Sequence, residues 1–540
     1  MSATSPASST PSSGSYEVPA DGPEVMTPSM TVSATPTAPM PGTPTAPLPA
    51  TPPAPLPATP PAAMPVTPAA AASATAIAAP AAAGVAVPLP SGAPILPART
   101  REDAAERRAH RRALAAVSGV VLSGALIAVA AAHTRSLLPE TIQWIPASFA
   151  GTFGGLFLNL HVGGAIAALV LMFLSYAAVV ALSGQLSARA VVIAIVAVHV
   201  LVLLGPPLAS TDVFSYQAYA RMGATYGVNP YTHAPYAISP DPVFPYIGSK
   251  WSTITPSAYG PVFTVSTYLL APLAIATSAF AYKGIAALAS LALVAVVWRC
   301  ARLRDVDPVR AVALVGLNPL LLIYGVGGGH NDLLMLLVMV GGVYAILASR
   351  EAVGGVLSVM AIGIKLTAGL VLPFALADGG PRGRPQRGRA RLALGAGVAL
   401  AALGALSISV FGVGSFHMLG AIVRSQRDGS WLGIPGVISS KLGLHTVGDI
   451  TGFALAGAFA VTLCWLLRRV WRGQIDWIDG AAWAMLAMLV ASSSLLPWYV
   501  AWLLPLAALG RDRRLVWSAI AFSAVIQGVV LLGYIPHGFL

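Results

Sequence analysis

Asp212 stands in "STDVFSYQAYARMGATYGVNPYTH", which begins at Ser210 directly after the apolar run "VVIAIVAVHVLVLLG". Read as a helix, "DVFSYQAYARMG" puts Asp212, Tyr216, Tyr219 and Gly223 on one face, at i, i+4, i+7 and i+11. Gly227 and the Asn229-Pro230-Tyr231 turn would end it, with Arg221 close by. That face offers one carboxylate above two aromatic rings. The mixture suits a sugar, because rings pack on its C–H faces and a carboxylate takes its hydroxyl protons. The other use of Asp212 is an N-cap, in which it accepts backbone N–H bonds and does no chemistry. Spacing alone supports both.

Four further stretches carry polar groups between apolar runs. "YGVGGGHNDLL" presents His330, Asn331 and Asp332; Asp332 can cap a helix, while His330 and Asn331 can hydrogen-bond a ligand. Lys365, in "AIGIKLTAGLVLPF", is costly in an apolar segment unless it snorkels or meets an anion such as a phosphate. "RSQRDGSWLG" sets Arg424 and Arg427 beside Asp428 and Trp431. Two guanidiniums suit a phosphate, although a solvated loop looks the same. In "SSSLLPWYVAWLLP", Trp498 and Tyr499 read first as aromatic anchors at the membrane interface. No acidic pair of the D-x-D type stands beside Asp212, so neither a metal nor another cofactor is expected.

The elements that must position these groups are membrane helices. Of 540 residues, 56% are hydrophobic and 9% charged, and the mean hydropathy is +0.76. Several apolar runs reach the roughly 20 residues that cross a bilayer. Residues 1–97, rich in Pro, Ala, Thr and Ser, cannot bury enough apolar surface to order themselves and read as a disordered cytoplasmic tail. No secretory signal peptide is visible there. Residues 98–112 form a basic juxtamembrane segment with all six arginines of "RTREDAAERRAHRR". Basic flanks stay in the cytoplasm, so the first span, about 113–133, runs outward. Spans near 155–182 and 188–207 follow, and Asp212 emerges on the outer face.

Extending this register leaves 23 of the 31 Lys and Arg residues inside. The net charge of +12 is thereby explained as a topological signal, with no nucleic-acid partner. Residues 261–299 are expected to hold a short first half and then one span, and 352–378 two short helices bending near Lys365. The expected architecture is an all-α polytopic plasma-membrane protein with about 13 transmembrane helices over 113–540, a cytoplasmic N-terminus and active-site loops on the outer face. Cys300 and Cys464 match no zinc or disulfide spacing and read as packing residues.

Taken in order, "DVFSYQAYARMGATYGVNPY", "SAYGPVF" with Tyr259, "GGGHNDLLML", "GIKLTAGLVLPF" and "PWYVAWLLPLAAL" resemble the polyprenol-phosphomannose-dependent α-1,6-mannosyltransferases. These are C-type, multi-spanning glycosyltransferases of actinobacterial lipomannan synthesis. The resemblance runs from about residue 110 to the C-terminus and does not include the proline-rich tail. It implies a polyprenyl-phosphomannose donor, a mannan or lipomannan acceptor, a catalytic carboxylate at Asp212, and inversion by single displacement. Lys365, Arg424 and Arg427 would then meet the donor phosphate. The remaining polar and aromatic residues named above, Tyr259 included, would contact the sugars. The rivals are a transferase for another polyprenyl-phosphate sugar such as arabinose, and a lipid or solute transporter. A transporter would concentrate polar groups at the midplane and show internal repeats, and no clear repeat is present.

Overall fold

The computed structural model describes residues 98–142, 146–248, 256–378, 385–428, 430 and 432–533. All of these belong to one compact unit, Gly92–Leu540. The tail assigned to 1–97 lies outside the described residues. Among the described residues all regular structure is helical. Lipid offers no hydrogen bonds to a backbone, and a helix satisfies its own. Six helices are long and apolar enough to cross a membrane, and seven shorter apolar helices of 10–17 residues accompany them. The chain is a membrane protein.

Helices α1 (Ala98–Ala130), α2 (His161–Ala181) and α3 (Ala188–Leu204) pack on one another. The second helix begins later than the apolar run suggests. Leu160 N–H donates to Thr134 Oγ1, and His161 N–H to Asn159 Oδ1, so residues before His161 are held to the preceding loop. After α3 the chain reverses into α4 (Asp212–Ala224), the helix expected from the aromatic spacing. The reversal is tied down by backbone bonds from Leu208 N–H to Gly327 O (3.0 Å) and from Ala209 N–H to Leu137 O (2.9 Å).

A short helix α5 (Pro261–Thr267) precedes α6 (Ile275–Leu303), which runs unbroken through "AFAYKG". Helix α7 (Pro308–Gly316) leads into a π-helical turn, Leu321–Val326, just before the glycine run. Such turns interrupt a helix at a local cost and are frequent at functional sites. Helix α8 (Asp332–Leu347) then returns, and α9 (Glu351–Ile364) follows. Lys365 breaks the next segment: its backbone is extended (φ −151°, ψ 127°), and a 3₁₀ turn and α10 (Val371–Ala377) continue beyond it. The bend falls where sequence placed it.

The C-terminal part comprises α11 (Gln386–Phe411), α12 (His417–Asp428), α13 (Ile434–Leu442), α14 (His445–Trp471), α15 (Trp477–Ala491), α16 (Val500–Leu509) and α17 (Arg513–Gly533). All ten residues of α16 are buried, which puts it at the centre of the core. By contrast, only 6% of the apolar window of α14 is buried, so its sides are left for lipid.

Candidate functional site

Asp212 opens α4, but no side-chain cap is made at that helix start. Its Oδ2 instead accepts the Tyr259 hydroxyl hydrogen (3.3 Å) and faces His330 Nδ1 (3.4 Å). The N-cap reading is thereby set aside in favour of a carboxylate held by other elements. Tyr259 reaches it because Gly260 lies hard against α9. A Cβ on Gly260 would come within 2.2 Å of the Gly363 carbonyl oxygen, and Gly260 N–H donates to Ile364 O (3.0 Å). Tyr216 and Tyr219 are buried on the face predicted for them. Edge contacts join the Tyr216 ring to Tyr259 and Phe263, both at 5.0 Å.

The "GGGHND" segment supplies the second wall. Gly329 takes φ +66°, a left-handed conformation that L side chains resist. The turn directs His330 inward, where it is fully buried. Its ring stacks on Trp498 at 3.8 Å, and Nδ1 also lies 3.4 Å from the Tyr216 hydroxyl. Tyr216 in turn donates to Asn331 Oδ1 (3.3 Å). Asp332 is buried too. Its Oδ1 accepts from Lys365 Nζ (2.8 Å) and Trp502 Nε1 (2.6 Å), while Oδ2 faces His330 Nδ1 at 3.9 Å. Lys365 Nζ also lies over the Tyr499 and Trp502 rings, at 4.9 and 5.2 Å.

These charges set the protonation of the site. Burial pushes the Asp212 carboxyl up from 3.8 to about 6; the Lys365 charge pulls it down, Asp332 pushes it up, and the Tyr259 hydrogen bond pulls it down. Burial likewise lowers the His330 imidazole to about 3, against the attraction of Asp332. At neutral pH, then, Asp212 is ionised and His330 neutral. The single imidazole N–H belongs on Nδ1, which faces two carboxylates. His330 Nε2, Asn331 Nδ2, Asp332 Oδ2 and Trp498 Nε1 are buried and make no hydrogen bond among the described residues.

Asp212 and Trp498 line a cavity of about 1210 Å³. Glu140, Tyr324, Arg427 and Asp449 lie on other walls, and Phe453 and Ala456 of α14 with Val530 of α17 extend it along apolar surface. Gln426 holds α12 to the opposite wall: its Oε1 accepts from Ser492 Oγ (3.2 Å), Ser493 N–H (3.2 Å) and Ser494 N–H (3.4 Å). The lining therefore mixes polar side chains with apolar surface. Among the described residues no group of three or more His, Cys, Asp and Glu side chains could hold a metal ion.

The structure sorts the sequence candidates. It gathers Asp212, Tyr216, Tyr219, Tyr259, His330, Asn331, Asp332, Lys365, Trp498 and Tyr499 into one region. Trp498 is 6% exposed and stacked on His330, so it is not an interfacial anchor. Lys365 neither snorkels freely nor stands unpaired, because Asp332 holds it. Both arginines are exposed, and Arg427 lines the cavity whereas Arg424 does not. Arg221 pairs with Asp241 at 3.2 Å and donates to Leu273 O (2.9 Å). Asn229 donates to Phe411 O, and Tyr231 to Tyr259 O (both 2.8 Å), so these three brace α4 and the loop that follows it. Trp431 and the Asp428 side chain lie outside the described residues. Sequence reasoning missed Glu140, Gln426 and Tyr324 as cavity neighbours. It gave Lys283 no role.

A family model described as "Alpha-(1->6)-mannopyranosyltransferase, N-terminal domain" matches residues 114–377. Another, "MptB C-terminal domain", matches residues 432–537. Alpha-(1->6)-mannopyranosyltransferase A of Mycobacterium tuberculosis is 28% identical over 361 residues, covering 62% of this chain and 67% of that protein. Its namesake in Corynebacterium glutamicum is 26% identical over 373 residues, with 62% and 73% covered. No solved structure matches the chain. The all-helical membrane fold and these relatives together define a membrane glycosyltransferase. The chain belongs to the alpha-(1->6)-mannopyranosyltransferase family.

Proposed function

We propose that the enzyme transfers mannose from a polyprenyl-phosphomannose to a growing α-1,6-mannan acceptor, the lipomannan core, on the outer face of the plasma membrane. The observation that carries this reading is Asp212: an ionised carboxylate at the cavity wall, held by Tyr259 and His330 and not used as a cap. The six helices long and apolar enough to cross a membrane support a multi-spanning C-type arrangement, and about 13 spans would require the shorter apolar helices to combine into or complete further crossings. Nucleotide sugars are cytosolic, so an outer site calls for a lipid-linked donor. The apolar lining of Phe453, Ala456 and Val530 suits its polyprenyl chain, and polar lining residues such as Asp212 and Arg427 suit the acceptor and the phosphate.

The reaction is a single displacement. The acceptor hydroxyl oxygen bonds to the anomeric carbon as the bond from that carbon to the phosphate oxygen breaks. The hydroxyl proton passes to Asp212, and the polyprenyl phosphate leaves with the bonding electrons. Inversion at a β-linked mannosyl phosphate yields an α-mannoside. The transition state resembles an oxocarbenium ion. Phosphate departs without a strong general acid but needs a cation, and Arg427 is the arginine that lines the cavity. Trp498 lines the cavity and its Nε1 is buried without a hydrogen bond among the described residues, which suits a sugar hydroxyl, since a buried polar group without a partner costs about 1–3 kcal/mol.

Asp212→Asn tests the reading. Membranes carrying the variant receive radiolabelled polyprenyl-phosphomannose and a short α-1,6-mannoside, with linkage analysis of the product. Asn keeps the shape but cannot accept the proton, so the rate falls by about 10² or more at equal membrane abundance. A rate close to wild type removes Asp212 from the role of base. A wild-type enzyme that ignores the mannosyl donor and uses a polyprenyl-phosphoarabinose instead overturns the choice of sugar.

A further inference from the structure

Lys283 lies in the first third of α6, and its side chain is fully buried. Among the described residues it pairs with no carboxylate. Its Nζ donates to the carbonyl oxygens of Val202 (3.0 Å), Gly205 (2.5 Å) and Pro206 (2.7 Å). An ammonium has three N–H donors and a neutral amine two. Three carbonyl partners therefore require the charged form. The carbonyls explain why a cation is tolerated there. They are the free C-terminal acceptors of α3 and the residues just past it, and the negative end of a helix favours a positive charge.

The same lysine touches the second wall of the site. A Cβ on Gly329 would lie 3.3 Å from Lys283 N and 3.5 Å from Lys283 Cγ, so the glycine turn before His330 rests on this part of α6. The preceding residue, Tyr282, has its ring 5.5 Å from that of Tyr216. The two strands of chain are also bonded to each other, through Leu208 N–H and Gly327 O. One strand ends in Asp212 and the other in His330. Lys283 thus holds the approach to Asp212 by its head and seats the approach to His330 on its stem.

We propose that Lys283 is a positioning residue for transfer: it fixes the end of α3 against the glycine turn and so sets the distance between Asp212 and His330. It contacts no substrate. The proposal rests on the reading of Asp212 as base. Misplacing a catalytic group by about 1 Å can cost roughly 10²-fold.

The test uses the full-length enzyme in membranes and in detergent. Lys283→Met keeps the stem and removes the three donors. The expected result is a kcat lowered about 10- to 100-fold with KM for donor and acceptor within about twofold of wild type. Combined with Asp212→Asn, Lys283→Met should change the residual rate by less than about twofold, because a misplaced base cannot matter once the base is gone. An unchanged kcat, a loss confined to KM, or a further loss of full size in the Asp212→Asn background overturns the proposal. If Lys283→Met does not accumulate, Lys283→Arg enters the same cycle; it keeps the charge but cannot reach all three carbonyls in the same geometry. Failure of both variants to accumulate assigns Lys283 to folding and also overturns it. Asp212→Asn alone reports on the base reading, so the two failures are told apart.

Discussion

Lys365 and Asp332 form a buried ion pair, 2.8 Å from Nζ to Oδ1, within the electrostatic reach of Asp212. The pair gives the site one cation and two carboxylates in close quarters. Removing the cation should leave Asp212 harder to ionise. The base works only when ionised, so kcat/KM falls about tenfold per unit as pH drops below about 6. In Lys365→Met the folded Asp212 pKa moves further up, and the acid limb of the profile moves to higher pH with it. At a fixed pH near 6 the variant is slower than at pH 8 by a larger factor than wild type. A limb that stays in place while the donor KM rises would return Lys365 to the donor phosphate.

Arg427 and Arg424 lie one helical turn apart on α12, yet Arg427 alone of the two lines the cavity. Arg427→Gln should raise the donor KM about tenfold, in line with a lost charge-assisted contact of roughly 1.5 kcal/mol. Arg424→Gln should leave it within twofold. Equal effects, measured with a graded series of donor concentrations, would mean that neither guanidinium is specific to the phosphate.

Orientation can be read with a membrane-impermeant thiol reagent on intact cells. Cys464 is exposed and must first be replaced. A cysteine at His233, exposed in the loop after α4, should then label, and one at Gln386, exposed at the start of α11, should not. Labelling at position 386 but not at 233 would invert the topology and move the site to the cytoplasm.

Deletion of residues 2–95 should leave the transfer rate within about twofold of wild type. A segment of that composition cannot bury enough apolar surface to build a packed wall, and the residues lining the cavity run from Ser136 to Gly533. A large loss at normal membrane abundance would give the tail a catalytic or substrate-delivering role.

Much of the site was legible because it sits where apolar runs stop. The helix from Asp212, the glycine turn before His330 and the break at Lys365 all mark such edges, and periodicity or an isolated charge reveals each. What pairs with what was hidden. Asp332 and Trp502 are 170 positions apart, and nothing in either local pattern points to the other. Arg221 and Asn229 have the residue types of a binding site, but Asp241 and Phe411 O engage them from distant segments. Lys283 was passed over for a related reason. Its partners are backbone carbonyls, which leave no trace in side-chain identity.

The cavity draws its walls from almost the whole described chain: Ser136 belongs to the loop after α1, and Val530 and Gly533 to the last helix. Asp212 is therefore synthesised long before the chamber around it can close. A nascent chain emerging from the ribosome with α1 to α13 inserted already carries its base, its histidine and both α12 arginines. It lacks the α14 and α17 surfaces that complete the chamber. Transfer is therefore expected only from chains in which α14 and α17 have been inserted, since both line the cavity.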